Sequence, residues 1–406
     1  MAANADEIAD SILSAYGLIG SRGKPSGDEW TVLAGIVAER AQSLQVISLA
    51  TGNKCVGKSG LSLSGDVVND SHAEVLSRRA FLKFLYAEIH HADGGATHPG
   101  SLLHFDAQSR RYALRRDVSL HLYISTTPCG DASICGGKGK EDDLRRVTGA
   151  KAVSSNILGA IRTKSGRSDI LAANRTLSMS CSDKIVRWCN VGMQGSLLSR
   201  LLAPEPLRLS SLTVGAGALF DHGRKEPLCA TEVITSIERA IVDRSPLPAC
   251  KCSLTKRRYS HDRPFESRDD STQAGRKRKR GPPVCGYALN ATWVPAYRRA
   301  NGASSFDVEV LISARGKKQG ATKKGKGSQS AKSRSRLCKL SLFQDFIKAS
   351  KVLGGDEQSV LRSSKYGELK RGANAYQASK AKFEATPPFS AWVKMPRHYD
   401  DFGLVE

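Results

Sequence analysis

The feature that most constrains this chain is a set of potential metal ligands that lie far apart in the sequence. A His-Ala-Glu motif begins at His72, a Pro-Cys motif ends at Cys129, and further cysteines stand at Cys135 and Cys181. Zinc binds neutral imidazole and thiolate groups, and a site with three protein ligands keeps its fourth position open for water. The fold must therefore bring His72, Cys129 and one more cysteine together from separate elements.

The residues alone leave the third ligand undecided. In a Cys-x-x-Cys arrangement the second cysteine comes three residues after the first, but this chain has Ala132 at that position. Cys135 is the next cysteine along the chain, and Cys181 lies in a Ser-Cys-Ser-Asp-Lys segment directly before a predicted helix. Spacing favours these two cysteines equally.

Glu74 completes the first motif without being a metal ligand. His-x-Glu followed by Pro-Cys is typical of zinc-dependent nucleobase deaminases. In such a site zinc lowers the pKa of water to about 7, and the resulting hydroxide attacks the ring carbon that carries the amine. A carboxylate two residues from the histidine ligand can move the water proton to the ring nitrogen and the departing amine. We therefore predict that Glu74 is the catalytic acid and base.

The charge of the chain predicts a polyanionic partner. The formal net charge is +23 and the sequence pI is about 9.7, which most simply indicates nucleic acid. Two basic segments with few apolar residues, 251–283 and 315–336, are predicted to be mobile insertions that contact phosphates. The run at 276–280 is also typical of a nuclear import signal, and solvated loops without a function are the alternative.

The order of apolar patterns predicts an α/β fold with helices on both faces of one sheet. Asn69 and Asp70 are positioned to cap the helix that follows them. Predicted strands cover residues 45–52, 115–126, 286–294 and 306–314; predicted helices cover the N-terminal segment around Ile8 and Ile12 and residues 31–41, 72–91, 183–202, 336–348 and 363–385, with a further helix start at 128–130.

The bulk sequence predicts an intracellular protein without membrane contact, located in the nucleus and/or the cytoplasm. The first residues carry acids where a targeting peptide would carry bases. No apolar run approaches the roughly 20 residues of a membrane span. The ten cysteines are scattered, which favours reduced thiols and metal ligands over a disulfide framework.

Four separated segments closely resemble the adenosine-to-inosine RNA deaminases: NDSHAEVLSRR, STTPCGDASIC, IRTK and SMSCSDKIVRW, which occur in that order. This family comprises editing enzymes of double-stranded RNA and tRNA adenosine deaminases that act at position 37, beside the anticodon of alanine tRNA. The resemblance implies a cytidine-deaminase-like three-layer sandwich with a central mixed sheet, helices on both faces and an extended C-terminal part. It also implies that Cys181 is the third zinc ligand and that Cys135 lies outside the site.

The resemblance further implies a buried inositol hexakisphosphate as a structural cofactor. Buried cations need partners, and a polyphosphate supplies many of them at once; a solvated basic face is the alternative. The matching positions are cationic and aromatic: Arg78, Arg79, Lys184, Arg187, Trp188, Lys339, Tyr366, Lys370, Tyr376, Lys380 and Trp392.

Two smaller sets of positions also follow from the resemblance. Asp70 and Lys164 match a relay that links the inositol phosphate to the metal site. Thr51, Asn53 and Lys54 match positions that hold the target nucleotide. We treat both sets as expectations.

The expected function is hydrolytic deamination of adenosine in tRNA, with one zinc ion per chain and no obligate protein partner. The resemblance divides the chain into a helical lead-in, 1–47, and a deaminase domain, 48–404, that the two basic segments interrupt. The short lead-in has no room for a duplex-binding domain, and by the resemblance Ser133 stands where duplex editors have an arginine, so we expect the tRNA type. The alternatives are an editing deaminase of structured or double-stranded mRNA and a non-catalytic zinc-containing RNA-binding protein.

Overall fold

The computed structural model describes residues 3–92, 97–135, 150–153, 158–164, 175–220, 227–248, 250–262, 283–298, 304–320 and 331–404. Its helices are α1 (Ala5–Leu18), α2 (Ala73–His90), α3 (Cys181–Val191), α4 (Gly195–Leu198), α5 (Ala230–Glu238), α6 (Lys339–Ala349), α7 (Gly355–Ser363), α8 (Tyr366–Arg371) and α9 (Asn374–Ala385). Its strands are β1 (Leu33–Arg40), β2 (Ser43–Thr51), β3 (Leu103–Asp106), β4 (Arg111–Leu114), β5 (Val118–Ile124), β6 (Ala150–Ala152), β7 (Arg162–Lys164), β8 (Ser211–Val214), β9 (Lys251–Leu254), β10 (Tyr287–Val294), β11 (Ser305–Ile312) and β12 (Lys317–Lys318).

A mixed eight-stranded sheet forms the middle layer, in the order β12-β11-β10-β2-β1-β5-β8-β9. The pairs from β12 to β5 are antiparallel, whereas β5, β8 and β9 run parallel to one another. Helix α1 packs on one face of the sheet and α2 on the other. This architecture confirms the predicted α/β fold, and β10 and β11 confirm the predicted strands at 286–294 and 306–314.

The predicted helix at residues 31–41 is wrong, because most of this segment forms β1. Leu33 and Val37 pack with α1, while Ala34 and Ile36 pack with α2 on the opposite face. A strand that is covered on both faces has a continuous apolar run, and periodicity cannot distinguish such a run from a buried helix.

Helix α1 confirms the predicted N-terminal helix and explains its contact with the sheet. Asn4 caps it, because its side chain accepts hydrogen bonds from the backbone of Asp6 and Glu7. Ile12 lies over Gly35 of β1, where an added Cβ would come 2.2 Å from Ile12 Cδ1. The absence of a side chain at Gly35 therefore allows the helix to approach the sheet closely.

Two other predicted helices differ from the structure. The segment after Pro128 forms only a 3-10 turn, Asp131–Ser133, because Gly130 at φ +109° turns the chain away from a helical path. The predicted helix at 183–202 begins earlier, at Cys181, and ends at Val191, where Gly192 has φ +100°. A short separate helix, α4, follows it.

The basic segments are not wholly loops. Residues 251–254 form the edge strand β9, which pairs with β8, and Lys317–Lys318 form β12, which pairs with β11. Backbone hydrogen bonds to the neighbouring strands hold these residues in the sheet despite their polar side chains. Residues 263–282 and 321–330, including the basic run at 276–280, lie outside the described residues. None of the described helices is long and apolar enough to cross a membrane.

Candidate active site

Three potential metal ligands converge where α2 and α3 begin. His72 precedes α2, Cys181 opens α3, and Cys129 lies in the loop after β5. His72 Nδ1 lies 3.8 Å from Cys129 Sγ and 3.6 Å from Cys181 Sγ, and the ligand atoms of all three residues lie within 4.8 Å of one another. One imidazole and two thiols are a donor set that suits zinc and leaves the fourth position open.

The two cysteine loops are joined through their neighbours. Ser182 Oγ donates hydrogen bonds to the carbonyl oxygens of Pro128 and Cys129, at 3.1 and 3.0 Å. Gly130 lies against Ser180, where an added Cβ would come 2.3 Å from Ser180 Oγ. Because side chains of one loop contact the backbone of the other, the positions of the two thiols relative to each other are fixed.

The structure separates the two candidates for the third ligand. Cys181 is fully buried beside His72 and donates its backbone N–H to Cys129 Sγ at 3.4 Å. Cys135 is also buried, but its Sγ lies 3.2 Å from Ser236 Oγ, against α5. A hydrogen bond from the Cys181 thiol holds the pKa of Cys129 well below its usual value, which favours the thiolate that a metal requires.

Glu74 lies in the first turn of α2, two residues after His72, and is 2% exposed. Its Oε2 atom is buried and has no hydrogen-bond partner among the described residues. Burial raises the pKa of the Glu74 carboxyl, against the opposing charge of His72. A carboxyl group with a raised pKa and an unused oxygen is suited to accept and return a proton near neutral pH.

Asp70 and Lys164 form a buried ion pair beside this cluster. Lys164 Nζ lies 2.8 Å from Asp70 Oδ2 and 3.1 Å from Cys181 Sγ. Lys184 of α3 also binds Asp70, and Ser178 Oγ donates a hydrogen bond to Asp70 Oδ2 at 2.7 Å. Burial raises the pKa of Asp70, but the two lysines outweigh burial and hold this pKa well below its usual value.

The predicted capping of α2 by Asn69 and Asp70 is wrong. His72 occupies the N-cap position, and its side chain makes no capping hydrogen bond. Asp70 Oδ1 instead accepts the backbone N–H of His72 at 3.1 Å, so the carboxylate orients the segment that carries this potential ligand. Cys55, which the sequence analysis missed, donates its thiol to the same oxygen at 3.1 Å.

A cluster of seven cationic side chains lies between α2, α3 and the C-terminal helices, and we call it the cation cluster: Arg78, Arg79, Lys184, Arg187, Lys339, Lys370 and Lys380. Burial lowers the pKa of Arg78 to about 10, and Arg78 Nε is buried without a hydrogen-bond partner among the described residues. Arg78 lies over the ring of Trp188 and Arg187 over Trp392, at 5.3 and 4.9 Å from the ring centroids.

Three carboxylates meet this cluster, and the sequence analysis missed two of them. Asp400 binds Lys339 and Lys370 at 2.6 and 2.5 Å, and Glu384 lies 3.7 Å from both Arg187 and Lys380. With Asp70, three negative groups face seven positive ones among the described residues. The remaining positive charge, together with the unpaired Arg78 Nε, fits a polyphosphate ligand.

The three positions predicted to hold the nucleotide have different environments. Thr51 is fully buried at the end of β2, where its hydroxyl accepts the backbone N–H of Leu289 at 3.0 Å. Its side chain therefore links β2 to β10 within the sheet. Asn53 and Lys54 are half-buried in the following loop, and the backbone of Lys54 binds that of Ser71 at 2.9 Å. This loop is therefore fixed to the start of α2, beside the potential metal ligands.

Comparison with known proteins identifies the family. Residues 48–396 match the model of the adenosine-deaminase (editase) domain. The chain belongs to the adenosine-deaminase (editase) family. It is therefore an enzyme that deaminates adenosine, and its His72, Cys129 and Cys181 cluster lies within the matched domain.

Relatives within the editase family include both tRNA and double-stranded RNA enzymes. The chain is 32% identical to tRNA-specific adenosine deaminase 1 of Drosophila melanogaster, over 98% of this chain and 96% of the relative. It is 28% identical to the Mus musculus protein of the same name, over 98% of this chain and 99% of the relative. It is 29% identical to the double-stranded RNA-specific adenosine deaminase of Mus musculus, over 98% of this chain but 32% of the relative.

Proposed function

We propose that the chain is a zinc-dependent hydrolase that converts adenosine to inosine in tRNA, at position 37 next to the anticodon of alanine tRNA. The observation that carries this proposal is the convergence of His72, Cys129 and Cys181 beside the buried carboxyl of Glu74. Two relatives that align over nearly their full length are named tRNA-specific, which supports tRNA as the substrate.

The residues divide the work of hydrolysis between them. Zinc bound by the three ligands would supply a water of lowered pKa, close to 7. Glu74 would accept one proton of the attacking water and pass it to the ring nitrogen, and would then accept the second proton, from the added hydroxyl, and pass it to the amine, which leaves as ammonia. Asp70 holds the backbone of His72, and Lys164 places a positive charge 3.1 Å from the sulfur of Cys181. We propose that Asn53 and Lys54 contact the target nucleotide.

The substrate is tested with purified protein and three RNAs: alanine tRNA with adenosine at position 37, the same tRNA with guanosine there, and a perfect RNA duplex. We expect inosine only in the first RNA. An unpaired base in a loop is flipped at a lower cost than a paired base, which otherwise requires a few kcal/mol. Inosine in the duplex alone would favour an mRNA editor, and RNA binding without inosine by zinc-loaded protein would favour the non-catalytic alternative.

We also propose that inositol hexakisphosphate occupies the cation cluster, with Tyr366 and Tyr376 beside it. Each of its phosphates can accept several hydrogen bonds, which suits the excess of cations over Asp70, Glu384 and Asp400. The Asp70–Lys164 pair then lies between this ligand and the metal site, because Lys184 belongs to the cluster and binds Asp70.

Arg78→Met is expected to reduce the inositol hexakisphosphate content below one per chain and to lower the unfolding temperature by a few degrees, because each hydrogen bond to a charged group contributes about 1.5–3 kcal/mol. Mass spectrometry of ligand released from the native protein and thermal unfolding measure the two effects. Lys83→Met is the control on the same helix, since Lys83 pairs with Asp345 at 2.8 Å outside the cluster. Wild-type protein without the ligand would instead support a solvated basic face.

A further inference from the structure

A cavity of about 300 Å³ lies outside both the metal site and the cation cluster. It is bounded by the first residue of β4, the chain after α4 and the loop that leads into α9. None of the seven cations of the cation cluster lines it, and Tyr376 alone belongs both to its wall and to the proposed inositol phosphate set. The cavity is therefore a separate feature with its own chemistry.

The wall of this cavity carries positive charge. Arg111 and Arg200 both line it, and no acidic residue does so among the described residues. Arg200 Nε is buried without a hydrogen-bond partner among those residues, although Arg200 Nη1 donates to the Gly372 carbonyl oxygen at 3.2 Å. The two guanidinium groups in the wall therefore favour an anion inside the cavity.

The arginines themselves are held in place by backbone contacts. Arg111 Nη1 donates to the carbonyl oxygens of Arg200 and Leu202, so one edge of its guanidinium is fixed to the chain that carries the second arginine. Because these contacts use only part of the five donors of a guanidinium, each arginine keeps N–H groups for a ligand. The two cations are thus brought together before any ligand binds.

The start of α9 adds a third source of positive potential. The helix has 12 residues, Ala373 at its N-cap makes no side-chain hydrogen bond, and Asn374 and Ala375 of the first turn line the cavity. The first N–H groups of a helix have no partner within the helix, and the helix dipole favours negative charge there. Leu202 and Pro204 provide an apolar part of the wall.

We propose that this cavity, the Arg111–Arg200 pocket, binds a phosphate-bearing anion. Its volume lies at the lower end of the range for small-molecule sites, about 300–1,000 Å³. Arginine guanidinium groups and the first backbone N–H groups of a helix can both donate hydrogen bonds to phosphate oxygens. The phosphate belongs either to a small phosphorylated metabolite or to the backbone of the RNA substrate, and the experiment distinguishes these sources.

Pyrophosphate is the probe, titrated calorimetrically into the full-length protein at low salt. Binding is expected to weaken at least about tenfold in Arg200→Gln, which removes charge-assisted hydrogen bonds. Ala375→Glu is expected to have a similar effect without deleting any contact, because it places a carboxylate at the exposed start of α9. An acid in a first helical turn is itself stabilising, so the unfolding temperature of this variant without ligand should not fall.

Arg110→Gln is the matched control, since Arg110 adjoins Arg111 but donates to the Val352 carbonyl oxygen and does not line the pocket. Equal pyrophosphate affinity in wild type, Arg200→Gln and Ala375→Glu, or no binding by wild type, would overturn the proposal. A second arm measures tRNA affinity against salt. If the tRNA affinity of Ala375→Glu depends less on salt than that of wild type, the pocket binds an RNA phosphate. If the salt dependence of tRNA affinity is unchanged, the pocket binds a free phosphorylated molecule.

Discussion

Glu74→Gln is expected to lower the rate of inosine formation by about 10²–10⁴-fold, the usual contribution of general acid–base catalysis. Glutamine keeps the size of the side chain but cannot accept a proton. Because Glu74 Oε2 has no hydrogen-bond partner among the described residues, the change removes no structural contact at that atom. Single-turnover kinetics with saturating tRNA measure the effect on the chemical step.

The control for this variant lies on the same helix. Glu88 is 4% exposed and binds Ser101 and Tyr297, far along α2 from His72. Glu88→Gln is expected to keep the rate within a few-fold of wild type. Zinc is quantified in all three proteins, and we expect equal contents. A Glu74→Gln protein that loses zinc together with activity would contradict the role of Glu74 as a proton carrier and make it a ligand.

The cluster of potential metal ligands was largely predictable because its residues lie in short motifs. His72 and Glu74 stand at the start of a long predicted helix, and Cys129 follows the clearest strand of the first half. The choice between Cys135 and Cys181 was not predictable from spacing, since both cysteines follow Cys129 in loops of unknown path. The family resemblance indicated Cys181, whose Sγ lies 3.6 Å from His72 Nδ1 in the structure.

Other features depend on contacts that no local pattern encodes. β1 has the apolar run of a helix because both of its faces are buried, one by α1 and one by α2. Glu384 and Asp400 are ordinary acids in sequence and acquire a role only when the C-terminal chain folds over α2 and α3. The pocket between Arg111 and Arg200 joins residues 89 positions apart with the start of α9.

Cys181→Ser is expected to weaken zinc binding by more than about 100-fold. Changing a residue that only hydrogen-bonds to a metal ligand already weakens metal binding by up to about 100-fold, and loss of a ligand itself should cost more. A serine hydroxyl is not a thiolate at neutral pH, so the site keeps only His72 and Cys129 as effective ligands. Inosine formation should fall to background at limiting zinc. Competition with a chromogenic chelator measures the zinc affinity, and circular dichroism verifies that the fold persists.

Cys135→Ser is the matched control, because it makes the same atomic change at the other candidate ligand. Cys135 lies against Ser236 in the part of the chain that the structure describes, and it does not belong to the cluster of potential ligands. We expect wild-type zinc affinity and nearly wild-type activity. If instead Cys135→Ser releases zinc and Cys181→Ser retains it, the ligand set is wrong, and the positions of α3 and of Lys164 beside Cys181 must be explained without a metal.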